Sequence, residues 1–271
     1  AYVWSYASTI STKICLSTHA LKLFLNLSDS KIHIETLVNF ELRPGMSSYR
    51  TIKMPDDILI VETKKAFAEL SQRNLDEVAK KCSVAYIPPR ELNMKGRFII
   101  TFLNRTYSLE VSEERVVDLL TDKLAPTIVQ YIILKYLVTG DGTPLGTTWV
   151  NYKDIAGAVP YIREFEDFVL KRLAKKFGNM VDAYEYACKM LGGKREKLGG
   201  VSFSFVMLPR VRILCQLWAA EKQEYIPAVA NISFSANSDR FLPARELGMA
   251  SLLLVDMLEK EANKYAQSER R

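Results

Sequence analysis

Val201-Ser-Phe-Ser-Phe-Val-Met207, followed by Leu208-Pro209-Arg210 and a second apolar run from Val211 to Ala219, decides the fold. Val201, Phe203, Phe205 and Met207 alternate with Ser202, Ser204 and Val206, the period of two that marks a strand. Pro209-Arg210 turns the chain, so the two runs predict an antiparallel hairpin, with a further strand over Ala230 to Phe234. Towards the N-terminus a second hairpin is predicted from Arg97 to Leu103 and Thr106 to Val111, with Asn104-Arg105 as its turn.

Helical periodicity occupies the segments between. Residues 56–71 open on Asp56 and Asp57 and carry Ile60, Val61, Ala66, Phe67 and Leu70. Asn74, with Glu77 three residues on, has the pattern of a capping box. Pro126 stands before Ile128 to Val138, apolar on most sides and expected to be the central buried helix. From Pro160 to Phe177, Ile162, Phe165, Val169, Leu173 and Phe177 share one face. Acidic residues crowd its first half and basic residues its second, which complements the helix dipole, and Gly178 supplies the stop. A further helix is expected over about 180–191. The last, about Arg245 to Ala266, buries Leu247, Ala250, Leu254, Met257, Leu258 and Tyr265. Strands and helices come in blocks, without strand–helix–strand alternation. The fold class is therefore α+β: antiparallel hairpin strands packed against several amphipathic helices, as one main domain over 46–271.

Of the 271 residues, 48% are apolar and 25% charged, enough for a core without disulfide or metal staples. No apolar run approaches the roughly 18 residues of a membrane span. The net charge of +6 is mild and its signs are interleaved, so no basic stripe for nucleic acid emerges. Lys194, Arg195 and Lys197 read as a solvated loop. Glu113-Glu114, like Asp56-Asp57, reads as a helix start. The four cysteines are far apart, with no Cys-x-x-Cys, and Cys188 and Cys215 are expected to be buried free thiols of a cytoplasmic protein.

Residues 1–45 differ in texture: no methionine, no glycine before Gly45, many Ser and Thr, and both histidines, His19 and His33. Two readings stand level, an extension upstream of a start at Met46 or Met54, and an added strand or helix. On the first, the working domain lacks histidine, which removes histidine triads and histidine metal sites.

Two loops carry more polar and glycine content than connection requires. In the first, Thr139 to Gly146, Asp141, Gly142 and Thr143 offer an acceptor, a close backbone approach and a donor, ahead of Trp149, Asn151 and Tyr152. In the second, Asn231 to Pro243, the short polar side chains include Asn231, Ser235, Asn237 and Asp239, with Arg210 expected near the same end of the sheet. For each loop the plainer reading is a turn or helix cap. Phosphate-loop and dinucleotide fingerprints are absent.

Asp-Gly-Thr-Pro at 141–144, the Trp149 segment, Phe205 to Val211 with Leu208-Pro209-Arg210, and Ala230-Asn231-Ile232 leading to Phe241-Leu242-Pro243 resemble domain-of-unknown-function family 3786. That is a family of anaerobic bacteria and archaea, and the resemblance spans roughly residues 70–262. It implies no established activity. Some members are fused to a four-cysteine iron–sulfur domain similar to those of corrinoid-handling proteins, which implies a role near redox or tetrapyrrole chemistry. Many members carry an acidic residue where Ser235 stands.

The expected function is a ligand-binding or accessory protein, with Asp141, Gly142, Thr143, Arg210, Asn231 and Asp239 as candidate ligand contacts and the cofactor unidentified. Two alternatives stand beside it. One is an interaction module for an iron–sulfur protein partner. The other is an enzyme using Asp141 or Asp239 as acid and base, which requires those carboxylates to converge.

Overall fold

Thr127–Thr139 lies at the centre of the protein, with Tyr131, Ile132, Ile133, Leu134, Tyr136 and Leu137 fully buried. Each such aliphatic side chain contributes about 1.5–3 kcal/mol by leaving water, so this helix, with no charged residue in its first or last turn, is held by packing. The computed structural model describes residues 51–91, 94–221 and 225–268, all within the compact unit Arg50–Arg271. The expectations for residues 1–45, both histidines included, lie outside the described residues.

In chain order the first elements are helices α1 (Asp56–Ser71) and α2 (Leu75–Cys82). A first sheet follows: β1 (Ala85–Ile87), β2 (Arg97–Phe102), β3 (Arg105–Glu110), β4 (Arg115–Asp118) and β5 (Lys123–Leu124). These five strands pair in sequence order, each antiparallel to the next. The central helix, Thr127–Thr139, is α3 and packs against α1 and α2. The second half comprises β6 (Trp149–Asn151), α4 (162–177), α5 (Val181–Met190), β7 (Lys194–Glu196), β8 (Val201–Leu208), β9 (Val211–Trp218), β10 (Val229–Ser235) and α6 (Ala244–Ser268). Its sheet runs β6-β10-β9-β8-β7, all antiparallel. The two sheets meet where β2 packs on β8 and the Leu103 N–H donates to the Met207 carbonyl at 3.0 Å.

Helix α4 is the irregular one. Ile162–Phe165 is α-helical, Glu166–Leu170 opens into a π turn, and Lys171–Phe177 returns to α. Phe165, Val169, Leu173 and Phe177 nevertheless all reach the core. Their spacing of four residues drifts about 40° per step on a regular α-helix, and the wider π turn takes up that drift.

The α+β class and the hairpin of β8 and β9 stand as the sequence predicts. So do α1, the Asn74 cap (Oδ1 accepts from the Glu77 N–H at 3.2 Å) and the buried stripe Leu247, Ala250, Leu254 and Leu258 of α6. Three expectations need correction. The first hairpin turns at Leu103-Asn104, one residue earlier than predicted, because Leu103 buries its side chain and takes φ +52°. Glu113-Glu114 sits in the turn between β3 and β4, with Glu114 at φ +49°, and begins no helix. Lys194 and Arg195 belong to β7, where Arg195 pairs with Glu185 at 2.6 Å. The short strands β1, β4 and β5 pass unnoticed in the sequence because two to four residues show no period.

Candidate functional site

The two polar loops meet. The Gly146 N–H donates to the Ala236 carbonyl at 3.0 Å, and the Ala236 N–H donates to the Thr148 carbonyl at 2.8 Å, extending the β6–β10 ladder. Asn237, at φ +69°, donates from Nδ2 to the Pro144 carbonyl at 3.1 Å. Arg240 donates from Nε to Asp141 Oδ2 at 2.7 Å. Asp141 Oδ1 accepts from the Thr143 N–H at 2.9 Å, an Asx turn. Thr143, through its side chain and N–H, and then Arg240 hold the Asp141 carboxyl down at about 2. Asp141 is therefore an anion with its partners in place, poorly suited to proton transfer at neutral pH.

The glycines of this region answer to packing. A Cβ on Gly146 would lie 2.5 Å from both Cβ and carbonyl oxygen of Ala236, and one on Gly140 would lie 2.5 Å from Cys82 Sγ. Gly142, at φ +91°, rests against the Lys81 stem. Arg210 reaches the same place from the β8–β9 turn. Its Nε donates to Ser83 Oγ at 2.9 Å, and its N–H to Tyr136 Oη at 3.2 Å. Asp141, Gly142, Thr143 and Arg210 thus gather around the end of α2, on either side of Cys82 and Ser83. Burial pushes the Cys82 thiol up to about 12, against the opposing pull of Arg73, Arg210 and Lys81. This knot is closed by its own hydrogen bonds.

Asp239 sits on the turn Ser238–Arg240, with no side-chain hydrogen bond or ion pair among the described residues. It therefore shares no partner with Asp141. Beneath it Ser235 and Ser238 are buried and joined Oγ to Oγ at 2.9 Å, while Ser235 Oγ also accepts from the Arg212 N–H at 3.2 Å.

Asn231 belongs elsewhere. It lies four strand positions before Ser235, about 13 Å along β10. Its Nδ2 donates to Asn151 Oδ1 (3.2 Å), Ser233 Oγ (3.1 Å) and Gln216 Oε1 (3.4 Å), and Ser233 Oγ donates to Asn151 Oδ1 at 3.0 Å. This amide ladder ends at a cleft of about 370 Å³, lined by Asn151, Tyr152, Lys153, Ile162, Phe165, Glu166, Leu170, Asn231 and Ile232. Tyr152 forms its floor, stacked on Phe165 at 3.8 Å and donating from Oη to the Ala244 carbonyl at 2.9 Å. A second cleft of about 690 Å³, between Leu170, Ala174 and Lys175 of α4 and residues 227–230, shares Glu166 and Leu170 with the first. The shared residues are the ends of the π turn, a helix irregularity often found at functional sites.

The sequence groups Asn231 with Asp239 and Arg210 at the loop end of the sheet, whereas it lies at this groove, whose other residues Glu166, Leu170 and Lys153 were not among the candidates. The available signal was the repeated four-residue spacing of α4. Arg240 was not a candidate either, although a carboxylate in one loop and a guanidinium in the other are complementary.

Fold and site together define a two-sheet α+β protein with a groove between a π-bulged helix and the edge of its second sheet. The chain belongs to the family described as Domain of unknown function (DUF3786), whose model matches residues 74–257. No curated protein and no solved structure matches the chain. Among the described residues no helix is long and apolar enough to cross a membrane, and no group of three or more His, Cys, Asp or Glu could hold a metal ion.

Proposed function

We propose that the protein is a ligand-binding or accessory module, and that its binding site is the groove along α4, β6 and β10. The observation that carries this reading is the meeting of two clefts at Glu166 and Leu170, on a π turn and next to the Asn151–Asn231 amides. Apolar walls with a few convergent polar groups are the usual make-up of a binding site. By contrast, the residues of the Asp141 loop satisfy one another. Three buried free thiols suit a reducing, cytoplasmic setting. A role near redox or tetrapyrrole chemistry, or beside an iron–sulfur partner, is a narrower form of this reading and rests on the family resemblance alone.

The test is native mass spectrometry of the full chain purified without oxygen, beside Glu166→Arg on the groove rim and Asp141→Asn in the loop knot. A bound mass lost in the first variant and kept in the second is the expected result. A mass lost only in Asp141→Asn would return the site to the loops.

A further inference from the structure

The amides beside the smaller cleft have a fixed sense. Gln216 Nε2 donates to the Gly199 carbonyl at 3.3 Å, and a carbonyl only accepts. Gln216 therefore turns its oxygen towards Asn231, and Asn231 turns its NH2 inward to meet it at 3.4 Å. The same NH2 meets Asn151 Oδ1 at 3.2 Å, and the Ser233 hydroxyl donates to that oxygen at 3.0 Å. Reversing any one amide would set oxygen against oxygen or NH2 against NH2. One polar atom of each asparagine is left over: Asn231 Oδ1, an acceptor, and Asn151 Nδ2, a donor. Neither has a hydrogen bond among the described residues.

Asn151 stands opposite Ser233 in the β6–β10 ladder, and Asn231 lies two positions further along β10 on the same face. Asn151 is exposed, Asn231 is half-buried, and both line the cleft of about 370 Å³. A spare donor and a spare acceptor thus flank one hydrogen bond at its edge. Ser233 and Gln216 hold them in place beforehand, which lowers the ordering cost of binding. From the α4 side Ile162 and Leu170 supply half-buried apolar surface. Lys153 and Glu166 are the only charged residues of the lining, and their formal charges cancel.

We propose that the smaller cleft takes a neutral planar ring with a lactam edge, whose carbonyl accepts from Asn151 Nδ2 and whose N–H donates to Asn231 Oδ1. The inference rests on the groove being the binding site and names the class of its ligand. A carboxylate would set an oxygen against Asn231 Oδ1, and an amidinium would set an N–H against Asn151 Nδ2. Only a carbonyl and an N–H side by side satisfy both. The balanced charge of the lining suits a free small molecule and offers nothing to the phosphates of a nucleic-acid strand.

The probe is uracil, a ring of this class, titrated into the isotope-labelled full chain and followed by the side-chain amide signals of Asn151 and Asn231. The comparators are uracil methylated at both ring nitrogens, which keeps the ring and loses its N–H groups, and benzoate. Uracil is expected to shift both signals saturably. The methylated ring is expected to bind about tenfold more weakly, because Asn231 Oδ1 then lacks its donor. Asn151→Asp keeps an oxygen towards Asn231 and Ser233 and replaces only the outward donor by an acceptor. It is expected to lose uracil and to gain benzamidine, which presents two adjacent N–H groups. The two uracils on the wild-type chain decide the matter even where this variant unfolds. Equal binding of the two uracils, benzoate binding as well as uracil, uracil binding kept in a folded Asn151→Asp, or shifts confined to the larger cleft each overturn the proposal. Should uracil fail to bind while a co-purified mass is still lost in Glu166→Arg, the groove stands as the site and only the lactam class falls. If uracil fails and Glu166→Arg loses nothing either, both fall.

Discussion

Arg240 and Asp141, 99 residues apart in the chain, close on each other with Nε at 2.7 Å from Oδ2, and so join the loop after α3 to the loop before α6. The same junction holds the Gly146–Ala236 and Asn237–Pro144 hydrogen bonds. These loops connect the central helix to the last one through the end of the second sheet. What looks in the sequence like a glycine-rich binding loop is a clasp.

Asp141→Asn should therefore cost stability, and mainly above pH 4. Thr143 and then Arg240 hold the folded carboxyl at about 2, below its ordinary 3.8. The stability that follows is fully present above 3.8 and lost as pH falls towards 2. The carboxylate is 32% exposed, and solvent screening limits the effect. About 1 kcal/mol is expected at pH 7. Urea denaturation at pH 7 and at pH 2.5 measures it: the gap between wild type and variant should shrink at the lower pH.

Gly146→Ala should be more costly, about 1–3 kcal/mol. The new Cβ would meet both the Ala236 side chain and its carbonyl oxygen at 2.5 Å. Adding Ala236→Gly should recover part of the loss, because it removes the side-chain clash and leaves the carbonyl. Thermal melts of the single and double variants decide this, and no recovery would mean that the carbonyl contact dominates.

Long periodic segments were legible and short ones were not. Helix α6 and the β8–β9 hairpin show their periods over many residues, whereas β5 has only two. The Leu103 turn was missed because its left-handed backbone is imposed by a contact with Met207, over a hundred positions away. At the site, Asp141 and Asn231 both read as candidate contacts in polar loops, although Asn231 also lies in the strand predicted over Ala230 to Phe234. Only register separates them: Asn231 pairs with Gln216 inside a strand, and Asp141 precedes a turn.

Glu246 lies under the first turn of α6, 2% exposed, and accepts from Tyr131 Oη at 2.7 Å and from Arg245 at 2.9 Å. Burial and then Glu246 push the Tyr131 hydroxyl well up, so it stays protonated and donates. Glu246→Ala would strand a partly buried guanidinium and a buried hydroxyl, at about 3–5 kcal/mol. Tyr131→Phe removes the hydroxyl's two hydrogen bonds, to Glu246 and from Arg245, but leaves the Glu246–Arg245 ion pair in place, at about 1.5–3 kcal/mol. Chemical denaturation of both should rank them in that order.

Cys82, Cys188 and Cys215 are buried, and burial raises each thiol above its ordinary range. Because the thiolate is the reactive form, a Cys15→Ser chain at pH 8 should react with an aromatic disulfide reagent only as it unfolds. Three thiols should then appear together in guanidinium. Rapid release of any in buffer would show local opening around that residue.

Asn231→Asp tests the amide ladder more sharply than Asn231→Ala does. Three acceptors, Asn151 Oδ1, Ser233 Oγ and Gln216 Oε1, converge on one donor, Nδ2. Alanine removes that donor, and solvent or rotation of the hydroxyl can relieve the rest, at about 1 kcal/mol. Aspartate puts an acceptor where the donor stood, so like lone pairs face one another at hydrogen-bond distance. The carboxylate must either stay protonated or break the ladder. The aspartate variant should accordingly be the less stable of the two at pH 7 and should regain ground on acidification, since the neutral acid restores one donor. Melts of both variants at pH 7 and pH 4 give the comparison. An aspartate variant as stable as alanine at pH 7 would mean that the groove end is wet enough to screen the ladder, and that Asn231 faces solvent water more than its neighbours.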